Sequence, residues 1–194
     1  MNKKMLPDFD DKGNIPFGCF SCHIIEFKER FVDFFHDSYS RRSRFKGFLD
    51  YSKNICKNIN NSKNKFIING SYISKKLNPN DIDFLVVFNV STLSEKEYEF
   101  SKKEFEIQKA LNQQRLFSIE LEKRGFMDIN DIYCCDWYPL YQREKSDEKY
   151  QDYLEDKNYW LNCWGNTRPD NNGIQHPKGL VLLELDTTIF ELIQ

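Results

Sequence analysis

Three things are missing from this 194-residue chain: an uncharged apolar run of membrane length, an apolar centre between Met1 and Asp11, and any marked net charge, the total being −2. A membrane span needs about 20 predominantly apolar residues, so no passage through a bilayer is expected. The start of the chain does not read as a signal peptide, and the expected compartment is a reducing cytoplasm. There the six cysteines are expected to be thiols rather than disulfides. The near-neutral total says nothing for or against a polyanionic partner. No internal repeat stands out.

What is present is more informative. Aromatic residues make up 15% of the chain, with 17 Phe, enough apolar mass for a sizeable core in one domain spanning 1–194. Charge is unevenly spread. Residues 40–76 hold ten Lys or Arg against a single acid, Asp50, and such a flank attracts a triphosphate or RNA. The competing reading of Arg41, Arg42 and Arg44 is a solvated helix face. Cys19-Phe20-Ser21-Cys22-His23 matches the spacing of covalent haem attachment, which needs export, so these residues read as structural. A zinc set drawing on Cys134 or Cys135 is the alternative there.

Residues 1–20, with Pro7, Gly13, Pro16 and Gly18, read as an irregular arm. Helices are expected over 23–36, with Ser21 as N-cap, and over 40–59, where Phe45, Phe48, Leu49, Ser52, Ile55, Cys56 and Ile59 form a core stripe. Strands follow at 65–69 and 81–90; the run Phe84-Leu85-Val86-Val87-Phe88 predicts burial on both faces. Ser94-Glu95-Lys96-Glu97 is a capping box opening a long helix that ends at Gly125. A third strand is expected over 131–140, a helix over 147–163 and a last strand over 178–185. Trp160 and Trp164 read as anchors of that last helix on the sheet, with base stacking as the rival. This order predicts an α+β fold, a mixed sheet flanked by helices.

Asp81 and Asp83 open a strand two residues apart, so both carboxylates face one way, as hard cations such as Mg²⁺ require. Gly70-Ser71 follows the preceding strand, where backbone amides and the Ser71 hydroxyl are suited to phosphate oxygens. Lys75 and Lys76 add positive charge, and Asn78-Pro79-Asn80 turns the chain into the Asp81 strand. A strand opening at Asp131 beside Asp83 supplies a third carboxylate for two metal ions, which activate a hydroxyl and stabilise departing pyrophosphate. Asp136 is the rival third acid, expected on the opposite face from Asp131 by alternation.

Asn69-Gly70-Ser71, nine intervening residues and Asp81-Ile82-Asp83 resemble the signature of the DNA polymerase beta-like nucleotidyltransferase superfamily. The strand Asp131-Ile-Tyr-Cys-Cys-Asp-Trp-Tyr-Pro is similar to the one bearing that superfamily's last acid. Over its whole length the chain resembles small bacterial nucleotidyltransferase-like proteins, through Leu6–Asp10, Gly13–Gly18, Arg41–Phe48, Ile68–Tyr72, Asn78–Asp83, Tyr159-Trp160, Trp164-Gly165 and Pro177–Val181. It departs from their commonest small members, which place Ala-Arg-Gly after the Gly-Ser, where this chain has Tyr72-Ile73-Ser74. The resemblance implies a polymerase beta palm-like fold, with Asp81, Asp83 and Asp131 holding Mg²⁺ (or Mn²⁺) and Gly70 and Ser71 holding the nucleotide. It implies transfer of a nucleoside monophosphate from a triphosphate to a hydroxyl of an RNA or a partner protein, in a bacterial toxin–antitoxin or phage-defence setting. The alternative is a catalytically degenerate module that binds a nucleotide or a partner protein.

Overall fold

The computed structural model describes residues 6–60, 63–123, 135–191 and 193. In chain order the elements are β1 (Cys19–Cys22), α1 (Ile24–Phe31), α2 (Arg41–Asn58), β2 (Asn64–Asn69), β3 (Ile82–Asn89), α3 (Glu95–Lys123), β4 (Cys135–Gln142), α4 (Tyr150–Trp164) and β5 (Leu180–Leu185). The sheet order is β1-β5-β2-β3-β4. β2 lies antiparallel to both β3 and β5, while β1 with β5 and β3 with β4 are parallel. This is the α+β arrangement with a mixed sheet.

Alternation along the strands separates two apolar faces. Phe66, Ile68, Phe84, Val86, Phe88, Trp137, Val181 and Leu183 pack with Phe27, Phe31, Phe45, Phe48 and Ile55 of α1 and α2 into the main core. Phe48 sits at its centre, with ring centroids 5.1 Å from Phe84 and 5.8 Å from Phe66. A fully buried Phe contributes about 1.5–3 kcal/mol by removal of apolar surface from water, so this cluster dominates the packing. The other face carries Ile67, Leu85, Val87, Tyr138, Leu140 and Leu180 under Trp160 and Trp164 of α4. Trp164 is 9% exposed, and both tryptophans lie against Tyr138; they anchor α4 on the sheet.

Several boundaries differ from the sequence reading. The arm is not irregular throughout, because Cys19–Cys22 pairs with Leu180–Leu183 as the edge strand β1. Its four residues are too short to show a period in the sequence. The cap of α1 is His23, whose Nδ1 accepts the Ile25 amide at 3.3 Å, not Ser21, which lies inside β1. The helix ends at Phe31, and the chain continues as a 3-10 turn over Asp33–Phe35. The capping box forms as expected: Glu97 Oε2 accepts the Ser94 amide at 2.7 Å, and Ser94 Oγ accepts the Glu97 amide at 3.4 Å. Gly125, Asp131 and Cys134 lie outside the described residues.

Arg41 and Arg44 fit neither the polyanion grip nor the solvated face expected of them. Arg41 is 0% and Arg44 4% exposed. The Arg41 guanidinium donates to the carbonyls of Phe31 (2.7 Å), Tyr72 (2.6 Å), Ser74 (2.8 Å), Lys76 (2.6 Å) and Leu77 (3.3 Å). An arginine has five N–H donors in a fixed fork, and here each one finds a carbonyl. The cation also lies 3.8 Å from the Phe35 ring centroid. Arg44 donates to the Asn80 carbonyl at 3.1 Å, and Asn78 Oδ1 accepts from Ser38 Oγ at 3.0 Å. The link from β2 to β3 is thus clamped along its length by the start of α2.

Candidate metal and phosphate site

β2 ends, and β3, β4 and β5 begin, at the same end of the sheet. The α4 side of that end is a cleft of about 710 Å³ whose walls include Asn69, Gly70, Ser71, Lys76, Asp81, Asp83, Trp164, Arg168 and Lys178. The registers show why these residues meet. Asn69 pairs with Asp83 across β2 and β3, and Asp83 pairs with Asp136 across β3 and β4. Directly opposed residues share a face, the one that carries Leu85, Tyr138 and Leu140 further along.

Asp81, Asp83 and Asp136 each offer an oxygen within 4.8 Å of the others. Asp131, the residue expected as the third acid, lies outside the described residues. Asp136, which alternation had set aside, is the acid brought to Asp81 and Asp83, because the parallel register of β4 sets it directly beside Asp83. Asp83 is strongly perturbed in this position. Burial, then the charges of Asp81 and Asp136, push the Asp83 carboxyl from 3.8 up to about 7, against the opposing pull of Lys178 and Arg168. Lys178 is itself held below the usual lysine range, by burial first and by Arg168 as well, with Asp83 acting in the other direction.

Gly70 adopts φ +80°, ψ −166°, a region open essentially only to glycine. A Cβ at this position would overlap the Asp83 carboxylate, so the acid packs directly on the Gly70 backbone. Ser71 begins a 3-10 turn, Ser71–Ile73. Tyr72 behind it is fully buried, and its hydroxyl donates to the Arg41 carbonyl at 2.8 Å. Tyr72 therefore serves the clamp rather than the cleft.

The two lysines of the connecting segment separate. Lys76 lines the cleft. Lys75 is turned to the N-terminal arm: its amide donates to the Gly13 carbonyl at 2.7 Å, and its ammonium lies 5.9 Å from the Phe9 ring centroid. Sequence reasoning missed two further cations. Lys178 lies two residues before Leu180 of β5 and so shares its face; its amide donates to the Gly165 carbonyl at the end of α4, at 2.8 Å. Arg168 sits on the loop between α4 and β5, where no periodic signal exists to place it. Gly179 lets the arm cross, because a Cβ there would strike the Pro16 carbonyl and the Ile15 side chain. The crossing brings Asn14 to the cleft wall.

Asn69 was also missed as a site residue. It is 4% exposed, lines the cleft, and its Oδ1 has no hydrogen-bond partner among the described residues. A buried acceptor left unsatisfied costs about 1–3 kcal/mol. Three clustered carboxylates, a buried amide oxygen beside them and a backbone that only glycine allows make a donor set suited to a hard divalent cation. The surrounding cations and backbone amides suit phosphate oxygens.

Fold and site together define an α+β protein with an acid cluster at the end of a mixed sheet, faced by cations. The chain belongs to a family of unknown function, DUF6932, whose model matches residues 7–184. No curated protein and no solved structure was found to match it. Among the described residues no helix is long and apolar enough to cross a membrane.

Proposed function

We propose that the protein is a divalent-metal-dependent nucleotidyltransferase with a polymerase beta palm-like fold, moving a nucleoside monophosphate from a triphosphate to a hydroxyl. The observation that carries this reading is the convergence of Asp81, Asp83 and Asp136 within 4.8 Å beside the Gly70-Ser71 turn; of these, Gly70-Ser71 and the Asp81-Asp83 pair are elements on which the sequence resemblance rests. Asp81, Asp83 and Asp136 would hold Mg²⁺ or Mn²⁺. Such an ion supplies charge stabilisation at the reacting phosphate and a more acidic acceptor hydroxyl.

The chain's own groups have separate tasks. Gly70 and Ser71 present amides and a hydroxyl to the phosphates. Lys178, Arg168 and Lys76 supply the positive charge that four phosphate negative charges beside three carboxylates require, and they take the place of a basic residue next to the Gly-Ser. The acceptor oxygen bonds to the α-phosphorus as the bond to the pyrophosphate oxygen breaks. The hydroxyl proton leaves to solvent or a carboxylate, and pyrophosphate departs toward the cations. A hydroxyl of RNA or of a protein side chain fits the open cleft, and a role in toxin–antitoxin or phage-defence systems belongs to this same proposal.

The test offers purified protein, with Mg²⁺ or Mn²⁺, each α-labelled nucleoside triphosphate together with native bacterial lysate and total tRNA. Label should pass from one triphosphate to one acceptor, and Asp83→Asn should abolish the transfer. If no triphosphate labels any acceptor, while the protein still binds a nucleotide independently of metal, transferase activity is refuted in favour of a binding module.

A further inference from the structure

We propose that Asn69 is a fourth protein ligand of the cation, contributing its carboxamide oxygen beside Asp81, Asp83 and Asp136. The inference rests on the metal reading above and adds a ligand that a search for acids alone does not find.

The placement is fixed by the sheet. Asn69 is the last residue of β2 and the cross-strand partner of Asp83, so the two side chains leave the same face with Cβ atoms about 4.5–5.5 Å apart. Asn64, Phe66 and Ile68, on the other face of β2, are buried, with Phe66 and Ile68 in the main core. Asn69 is as buried as they are, yet it belongs to the cleft wall. Its Oδ1 accepts nothing among the described residues, and burial of an oxygen without a partner is destabilising. An oxygen ligand to a cation removes that cost.

The chemistry also explains an amide rather than a fourth acid. Mg²⁺ and Mn²⁺ accept carboxamide oxygens as well as carboxylates. Three carboxylates already exceed the charge of one divalent ion, and the burial and mutual repulsion that raise Asp83 would grow with a fourth. A neutral oxygen completes the protein's share of the coordination sphere without adding to that repulsion, and leaves the remaining positions to substrate and water.

The experiment measures Mn²⁺ binding to the purified full chain by isothermal titration and by the loss of the free-ion spin-resonance signal. Asn69→Leu keeps the shape and removes the oxygen. It should bind Mn²⁺ more weakly by on the order of tenfold or more, with a metal-free melting temperature no lower than wild type. Asn69→Asp restores an oxygen at the same reach and, in alkaline buffer where the added repulsion no longer keeps a proton on the cluster, should bind Mn²⁺ at least as tightly as wild type; should the leucine variant not fold, this variant carries the test, and weaker binding by it under that condition overturns the proposal. Wild-type affinity in a folded Asn69→Leu protein overturns it too. Asp83→Asn separates the two levels. If it loses Mn²⁺ while Asn69→Leu keeps it, only the Asn69 assignment fails; if wild type and Asp83→Asn bind Mn²⁺ alike or not at all, the metal reading fails with it.

Discussion

Replacing Asp83 by Asn tests the electrostatics of the cleft without requiring a substrate. The folded chain holds the Asp83 proton until about pH 7, whereas an ordinary aspartate loses it near 3.8. Between these values the folded state binds more protons than the unfolded one, so stability falls as pH rises across this window and levels off above it. The interval of about three pH units corresponds to about 4 kcal/mol at most, and partial exposure and relaxation of the cluster reduce this to about 2–4 kcal/mol. Asn is nearly isosteric and carries no charge. In metal-free buffer at pH 8 the variant should therefore melt higher than wild type by about 4–16 °C, at about 2–4 °C per kcal/mol for a chain of this size. At pH 4 the difference should shrink to under about 1 kcal/mol, because the pH is then close to the ordinary aspartate value and the unfolded chain keeps much of its proton as well. Millimolar Mg²⁺ or Mn²⁺ should raise the melting temperature of wild type at pH 8 and leave the variant where it is. The assay is a thermal melt across pH 4–8 with chelator or metal. A wild type whose stability does not fall over this range, or a variant whose advantage is the same at pH 4 and pH 8, refutes the reasoning.

Other consequences are equally direct. Arg41→Lys cannot satisfy carbonyls that a five-donor fork now reaches; two or more left unpaired at about 1–3 kcal/mol each give an expected loss of about 2–6 kcal/mol by urea unfolding. Gly70→Ala should lower the melting temperature, from about 1–3 kcal/mol of backbone strain, and should also abolish metal-dependent stabilisation by displacing Asp83. Lys178→Met should weaken triphosphate binding on the order of tenfold or more while raising the Asp83 carboxyl further, which shifts the pH window of the melts upward. Arg42→Ala, by contrast with Arg41, should change urea stability by less than about 0.5 kcal/mol, as for a surface substitution.

The site was legible where it rested on local spacing. Gly70 followed by Ser71, and two acids two residues apart at the mouth of an apolar strand, are readable because glycine backbone freedom and strand alternation act within a few residues. That Asp136 lies beside Asp83 was not readable, because it depends on the register between β3 and β4, strands joined by a long helix. One residue of slip in a parallel pair exchanges the faces of the whole strand, and nothing local to 131–140 specifies which residue lies beside Asp83. Lys178 and Arg168 are distant from the acids in sequence and reach them only because β5 lies beside β2. Arg41 misled for another reason. An arginine next to two others on a helix looks like a charged surface, and its burial follows from carbonyls some thirty residues away.

That burial bears on function through the geometry of the β2–β3 connection. Antiparallel strands can be joined by two residues, yet nine separate Ser71 from Asp81. A longer loop is open to many conformations, and ordering each residue costs about 1–2 kcal/mol. Under the proposed function, a turn that takes phosphate at one end and an acid pair that takes metal at the other would work only if the loop holds both at fixed separation. Arg41 grips four carbonyls of this segment, from Tyr72 to Leu77, and Arg44 grips Asn80 just before Asp81. A lysine or a hydrophobic residue at position 41 offers no comparable planar set of donors. The clamp therefore does for this connection what a short hairpin turn does for an ordinary sheet. Loosening it should separate two effects in time-resolved hydrogen exchange: Arg44→Ala should speed exchange of amides in residues 72–80 while those of β2 and β3 beyond the cleft stay protected. Equal acceleration along both strands would mean that Arg44 supports the sheet as a whole and that the loop is not held as a separate element.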